Sequence, residues 1–178
     1  MLKKLQSEHR ILMTIALGLG LSWLYALCSQ IVLWLPFMPV PLSIQPLPLY
    51  LSVLILGWPA VTAYGFYMAQ GAMGLPFFAG GMGGMARLLG PTGGYLMGFG
   101  LSMILLASLR PFLRSRSGWY TLAAALTAEG MAIGCGLVQL AFFVGTQNVL
   151  AAGLYPFMLG DFILKPMMLT IVVRLLRR

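Results

Sequence analysis

Asp161 and Lys165 are the pair of side chains in this sequence whose types and spacing most directly suggest chemistry. Separated by four residues on a helix, they project from one face. They sit in an otherwise apolar stretch, and a charge within a membrane costs about 2.5–3.5 kcal/mol even on lenient insertion scales. Such a side chain therefore faces a cavity or a partner. Two readings are open: a mutual ion pair that holds helices together, or a pocket wall on which Asp161 accepts solute N–H groups and Lys165 donates to solute oxygens. Arg87 is the other isolated cation; it either meets a solute carboxylate or lies at headgroup level. Gln45 carries a full amide donor and acceptor set in a proline-rich connection, where it touches solute or caps the following helix. Glu129 lies inside an apolar run beside Gly130, Gly134 and Gly136, to pair across a bundle or reach water near the inner surface.

A glycine-rich stretch, GAMGLPFFAGGMGGMARLLGPTGGYLMG at 71–98, must position these groups. Glycine lets main chain approach a ligand or another helix closely. Irregular backbone at membrane depth is tolerated only where protein buries it or where it lines a cavity. This segment is expected to form the floor and lid of a solute pocket; the plainer alternative is a loop joining two helices.

The surrounding composition sets the class. Of 178 residues, 60% are hydrophobic and 8% charged, with mean hydropathy +0.93; soluble domains carry about 25% charged residues. The sequence therefore reads as an all-α integral membrane protein, one transmembrane domain over 1–178. The net charge of +8 does not indicate nucleic acid, because the cations cluster. Lys3, Lys4 and Arg10 precede the first apolar run; Arg110, Arg114 and Arg116 share one short connection; Arg174, Arg177 and Arg178 end the chain. Cytoplasmic loops collect Lys and Arg. His9 belongs to the cytoplasmic end. Cys28 and Cys135 lie in apolar runs and read as small core residues, with no metal-ligand spacing. The N-terminal apolar run is too long for a signal-peptide core and should remain as the first helix.

Six helices are expected. The first runs from about Ile11 to Leu35, with small residues at four-residue spacing in two tracks, Ala16/Gly20 and Gly18/Ser22/Ala26; such faces pack closely on a neighbouring helix or on a partner. PFMPVPLSIQP at 36–46 holds four prolines and excludes a regular helix. Pro59 divides residues 47–71 into two short pieces. Two separate helices there, rather than one kinked helix, put both termini and the Arg110–Arg116 loop on the cytoplasmic side. The fourth helix is expected from Gly93 to before Pro111, the fifth from Trp119 to Val144 and the sixth from Tyr155 to Leu176. The connections 36–46, 71–92 and 145–156 then lie outside, giving a pocket open to the outside.

Enzyme signatures fail. One histidine far from the acids supplies no Ser-His-Asp or metal site. GGMGG is not followed by Lys-Ser/Thr, so there is no P-loop. Gly81-Met82-Gly83 with Ala86 approximates a dinucleotide fingerprint without its βαβ unit. Without an ATP site, active uptake needs an energy source elsewhere.

Four segments, PVPLSIQ at 39–45, GLPFFAGGMGG at 74–84, LGPTGGYLMGF at 89–99 and GDFILK at 160–165, resemble the BioY family, the biotin-specific substrate-binding (S) component of energy-coupling factor transporters in prokaryotes. The similarity spans nearly the whole chain in order. It implies a six-helix bundle in the prokaryotic cell (inner) membrane that binds biotin at its outer side. It also implies partners, a transmembrane coupling protein and two ATPase subunits, and no cofactor of its own. By position, the resemblance puts Asp161 and Lys165 on the biotin head, with Tyr95, Gly80, Gly83 and Gly84 walling the pocket and Gln45 nearby. The family spacing is Asp-x-x-Lys where this chain has Asp-x-x-x-Lys. Met82 and Leu96 stand where some relatives carry a polar residue and an arginine, and Arg87 is the residue here that could substitute for one of them. The Ala16/Gly20 face would dock the coupling subunit, as small-residue faces do in this transporter class. A ureido group, a thioether ring and an anionic tail are complementary to one carboxylate, one or two cations and a Met- and aromatic-rich wall, although other small anionic heterocycles match the same inventory. The readings of other classes are a membrane-embedded lipid-modifying enzyme with Asp161 and Glu129 as acids, and a ligand-free scaffold subunit.

Overall fold

A computed structural model describes residues 2–33, 42–155, 157–159, 167 and 169–170. The described elements are α1 (Leu2–Ser29), β1 (Val32–Leu33), β2 (Leu42–Ser43), α2 (Pro46–Leu56), α3 (Trp58–Ala72), α4 (Met85–Leu89), α5 (Gly93–Arg114), α6 (Gly118–Val144), α7 (Val149–Gly153) and α8 (Phe157–Leu159). Among the described residues, three helices are long and apolar enough to cross a membrane, within α1 (Leu12–Ser29), α5 and α6. Large apolar side chains point outward along them, including Leu12, Leu27, Val138 and Phe142, as expected where the solvent is lipid tail rather than water.

The core is closed by small residues. α5 and α6 form the most extensive helix pair and run antiparallel: Gly94 lies against Cys135 and Gln139, Gly98 against Ala132, and Ser102 Oγ donates to Ala128 O at 2.5 Å. A side chain at Gly98 would put its Cβ 2.7 Å from the Ala132 Cα, so glycine sets the helix separation. α1 packs along α3, with Gly18 under the Phe66 ring and Gln70 Nε2 donating to Ser22 Oγ at 2.9 Å. Of the two small-residue tracks on α1, Gly18, Ser22 and Ala26 face inward. Ala16 and Gly20 face outward, and no described residue approaches the Gly20 Cβ position.

Residues 46–72 form two helices, as the sequence predicts, but the break is at Gly57. Its φ of +76° is a left-handed conformation that side chains disfavour, and Pro59 then starts α3 where its missing N–H costs nothing. α2 pairs with α5 in the same direction (Tyr50 beside Ser102, Leu54 beside Arg110), while α3 runs against α5 (Gly57 beside Arg110, Tyr64 beside Leu96). The chain therefore reverses at Gly57. Arg110 closes this turn: its Nε donates to Leu54 O at 3.0 Å and its Nη2 to Ile55 O, satisfying carbonyls that end α2. Arg116 lies over the Phe112 and Tyr120 rings at 4.8 and 5.7 Å at the same end, where Trp58, Trp119 and Tyr120 are exposed. Aromatic side chains with cations mark a membrane–water interface.

Three expectations are corrected. The first helix ends at Ser29, not Leu35; the chain turns at Gln30 and Ile31, and Val32–Leu33 pair antiparallel with Leu42–Ser43. A short ribbon thus takes over where the apolar run alone suggests further helix. α5 continues through Pro111 to Arg114. Proline in the last turn removes one bond, which neighbouring helices tolerate in apolar surroundings. The cysteines are half-buried rather than core. The sixth helix lies largely outside the described residues.

Candidate functional site

One end of the bundle gathers the C-terminal ends of α1, α3 and α6, the N-terminal ends of α2 and α5, and the glycine-rich connection. At its centre is an aromatic cluster built on Tyr67, which is fully buried. The Tyr67 ring stacks on Phe77 (6.0 Å, 22°) and Tyr64 (5.4 Å, 27°) and meets Phe78 and Tyr25 edge-on. Gln45, 2% exposed, reaches into this cluster: its Nε2 donates to Tyr67 Oη at 2.9 Å. Gln45 occupies the N-cap position of α2, but its side chain caps nothing. The capping reading is therefore corrected, because the tyrosine hydroxyl offers a buried acceptor and the helix start already begins with Pro46.

The connection after α3 is compact. Gly84 N donates to Gly71 O at 2.7 Å and Leu75 N to Gln70 O at 3.2 Å, while Phe78 and Met82 exchange backbone bonds of 2.8 and 3.2 Å. The turn between them relies on Gly80 and Gly81, at φ +75° and +71°. Phe77 and Phe78 are buried, and Gly81 and Met82 are exposed at the crest; Gly83 packs against Leu75 O and Gly74. Ser29, the last residue of α1, and Gln30, in the turn after it, hold this loop. Ser29 Oγ donates to Phe77 O. The Gln30 amide accepts from Gly81 N at 2.6 Å and turns its Nε2 toward the carbonyls of Pro76, Phe77 and Phe78 at 3.3–3.4 Å.

Arg87 lies on α4. It is partly buried, and its Nη2 is sealed from solvent with no hydrogen-bond partner among the described residues, as is Thr92 Oγ1 a turn further on. Burial lowers the guanidinium pKa from its ordinary 12.5, a shift that leaves it cationic at neutral pH. A guanidinium nitrogen buried without a partner among the described residues is costly, so this corner of the protein is suited to an anion. Gln139, from α6, holds the following turn by donating to Leu88 O (3.0 Å) and Gly90 O (2.7 Å).

Tyr95 is placed differently. It is buried with Ile133, Leu140 and Phe157 in a second apolar cluster, and its hydroxyl donates to Gly153 O at 2.8 Å, tying α5 to α7. Its ring lies over Gly136. Glu129 is 1% exposed, inside the bundle beside Tyr50; it does not reach water near the surface. Asp161 and Lys165 lie outside the described residues. An apolar groove of about 440 Å³ along the α5–α6 seam, lined by Gly94, Met97, Cys135, Val138, Gln139 and Phe142, includes none of the candidate site residues and opens on the outward face of the two long helices. Among the described residues no group of three or more His, Cys, Asp or Glu could hold a metal.

Sequence reasoning missed Gln30, Ser29, Tyr67 and Gln139. The available signal was a polar pair, Ser29-Gln30, at the end of an apolar run, and lone glutamines within apolar helices.

An apolar helical bundle with three helices long enough to cross a membrane, and with Gln45, Arg87 and the glycine turns at one end, defines a multi-pass membrane protein. The chain belongs to the BioY family, whose model it matches over residues 2–178. It is similar to the biotin transporter BioY of Thermotoga maritima, 36% identical over 143 residues, covering 79% of this chain and 83% of that protein. The probable biotin transporter BioY of Pyrococcus horikoshii is 33% identical over 130 residues, covering 70% and 74%. In fold it matches the crystal structure of the S-component for biotin from an ECF-type ABC transporter, with TM-score 0.81 over 95% of this chain and 93% of that one, at 23% identity.

Proposed function

We propose that this chain is the biotin-capturing membrane component of an energy-coupling factor transporter. It takes up biotin at the outer face and delivers it inward, with energy from a transmembrane coupling protein and two ATPase subunits. The family match along residues 2–178 carries this reading. Six membrane passes with both termini in the cytoplasm agree with the chain reversals, because α1, α3 and α6 run one way and α2 and α5 the other. On this topology the Gln45–Tyr67 cluster and the glycine-rich loop lie at the outer face, and the cations of Arg110–Arg116 lie at the inner face. The pocket we assign uses Asp161 and Lys165 for the ureido head, and Gly80, Gly83, Gly84, Gln45 and Tyr95 as walls and supports. The chain itself carries no ATP site and in this reading is not an enzyme. Uptake of labelled biotin by biotin-requiring bacterial cells tests it. Expressed with a coupling module, the chain should restore uptake; no uptake from a protein that reaches the membrane would refute the transport role.

Arg87 is assigned to the biotin carboxylate, on the strength of its sealed Nη2, which has no partner among the described residues. Arg87→Met should weaken binding of free biotin by about tenfold or more, the loss expected for one charge-assisted hydrogen bond. Binding of biotin methyl ester, which lacks the anion, should scarcely change. Equal losses for both ligands would remove Arg87 from the carboxylate.

The outward track of Ala16 and Gly20 is assigned to the coupling protein, since its neighbouring track is already occupied by α3. Gly20→Leu should reduce co-purification with that subunit and leave biotin binding intact. Loss of biotin binding instead would mean that the face packs within the chain.

A further inference from the structure

Gln30 meets the site loop at both ends of its amide. It stands at the turn just after α1, with its side chain largely exposed, yet the amide is fully engaged. Oε1 accepts from Gly81 N at 2.6 Å, and Nε2 donates to Ala26 O at 2.9 Å and Ser29 Oγ at 3.0 Å. The carbonyls of Pro76, Phe77 and Phe78 converge on the same Nε2. The amide accepts from a backbone N–H through its oxygen and donates to carbonyls through its nitrogen; a carboxylate does the first alone and a thioether does neither. The loop it grips contains Gly80, begins the turn to Gly83 and Gly84, and inserts Phe77 and Phe78 against Tyr67. Phe78 fills the space over Gly71, where no side chain would fit.

We propose that Gln30 is a positioning residue, a latch that joins the Pro76–Met82 loop to the end of α1 and thereby sets how long a ligand is retained. The inference rests on the biotin reading for its ligand but not for the latch itself. α1 presents Gly20 and Ala16 outward, ten and fourteen residues before Gln30 and about 15 and 21 Å below it, so a partner that shifts α1 moves the loop through this amide. Because the side chain is exposed, replacing it creates no cavity, and the stability of the ligand-free protein should be nearly unchanged.

Two readouts on Gln30→Met test this: amide hydrogen exchange over residues 76–84 without ligand, and the dissociation rate of labelled biotin. Loss of the latch should speed exchange at Gly81 about tenfold and raise the dissociation rate by a similar factor, with an unchanged unfolding temperature. Gln30→Glu keeps the acceptor for Gly81 N–H but sets a carboxylate against the three carbonyls, so its dissociation rate should rise while Gly81 exchange rises less. Should Gln30→Met fail to fold, this second variant decides. Unchanged exchange in both variants would overturn the latch. Faster exchange with an unchanged dissociation rate would overturn its role in retention. If the wild-type chain binds no biotin, the transport reading fails and the exchange experiment still decides the latch.

Discussion

Asp161→Asn should lower biotin affinity by about a hundredfold or more, the cost of losing one partner of a desolvated charged contact. The substitution preserves side-chain size and one acceptor oxygen. In the pocket proposed above, it removes the charge that favours ureido N–H donors and replaces the other oxygen with an amide that donates, opposite groups that also donate. An anion in this apolar part of the chain persists only where a cavity or a cation compensates it, and Lys165, four positions on, is the nearest cation in the sequence. Equilibrium binding on purified protein measures the effect, with unfolding temperature as the control for folding. A variant that binds as tightly as wild type would make Asp161 a structural partner of Lys165 and nothing more. A scaffold subunit would keep its fold and its partners after the change.

Gly98→Leu should produce the largest loss of stability. The added Cβ would meet the Cα and carbonyl of Ala132, which are backbone atoms and cannot rotate away as a side-chain tip would. α5 and α6 must then move apart at the place where Ser102 bonds to Ala128 O, and the close approach of Gly94 to Cys135 is lost with it. Overpacking of this kind costs about 3 kcal/mol or more when backbone has to shift. The unfolding temperature in detergent should fall steeply and biotin binding should fall with it, since α5 also positions Thr92 and Tyr95. Gly65→Leu is the matched control: no described residue approaches its Cβ position, and its expected effect is small. Equal unfolding temperatures for the two variants would contradict the role given to the α5–α6 seam.

Helix boundaries were legible wherever composition and glycine agreed. Gly93 opens α5, Val144 closes α6, and charge parity demanded a reversal near Pro59 that occurs at Gly57. Of the glycine-rich stretch at 71–98, residues 73–84 are irregular while 71–72, 85–89 and 93–98 are helical; the irregular part was legible because its glycines leave a composition unlike any helix. Features set by tertiary contacts escaped. The early end of α1 depends on a two-residue ribbon whose pairing partners lie nine and eleven residues away. Pro111 is carried inside α5, although local rules place a stop before it. Gln45 and Tyr95 stand out in the sequence as unusual residues, yet their partners, Tyr67 and Gly153 O, come from elements far along the chain. The Ser29-Gln30 pair reads in sequence only as the end of an apolar run; the converging carbonyls reveal what Gln30 holds.

Binding of labelled biotin to the purified, detergent-solubilised chain decides whether the protein captures this solute. Tight, saturable binding that unlabelled biotin displaces is expected. A demonstrably folded protein that binds no biotin, or that binds another small anionic heterocycle in its place, would contradict it and leave only the fold and the family.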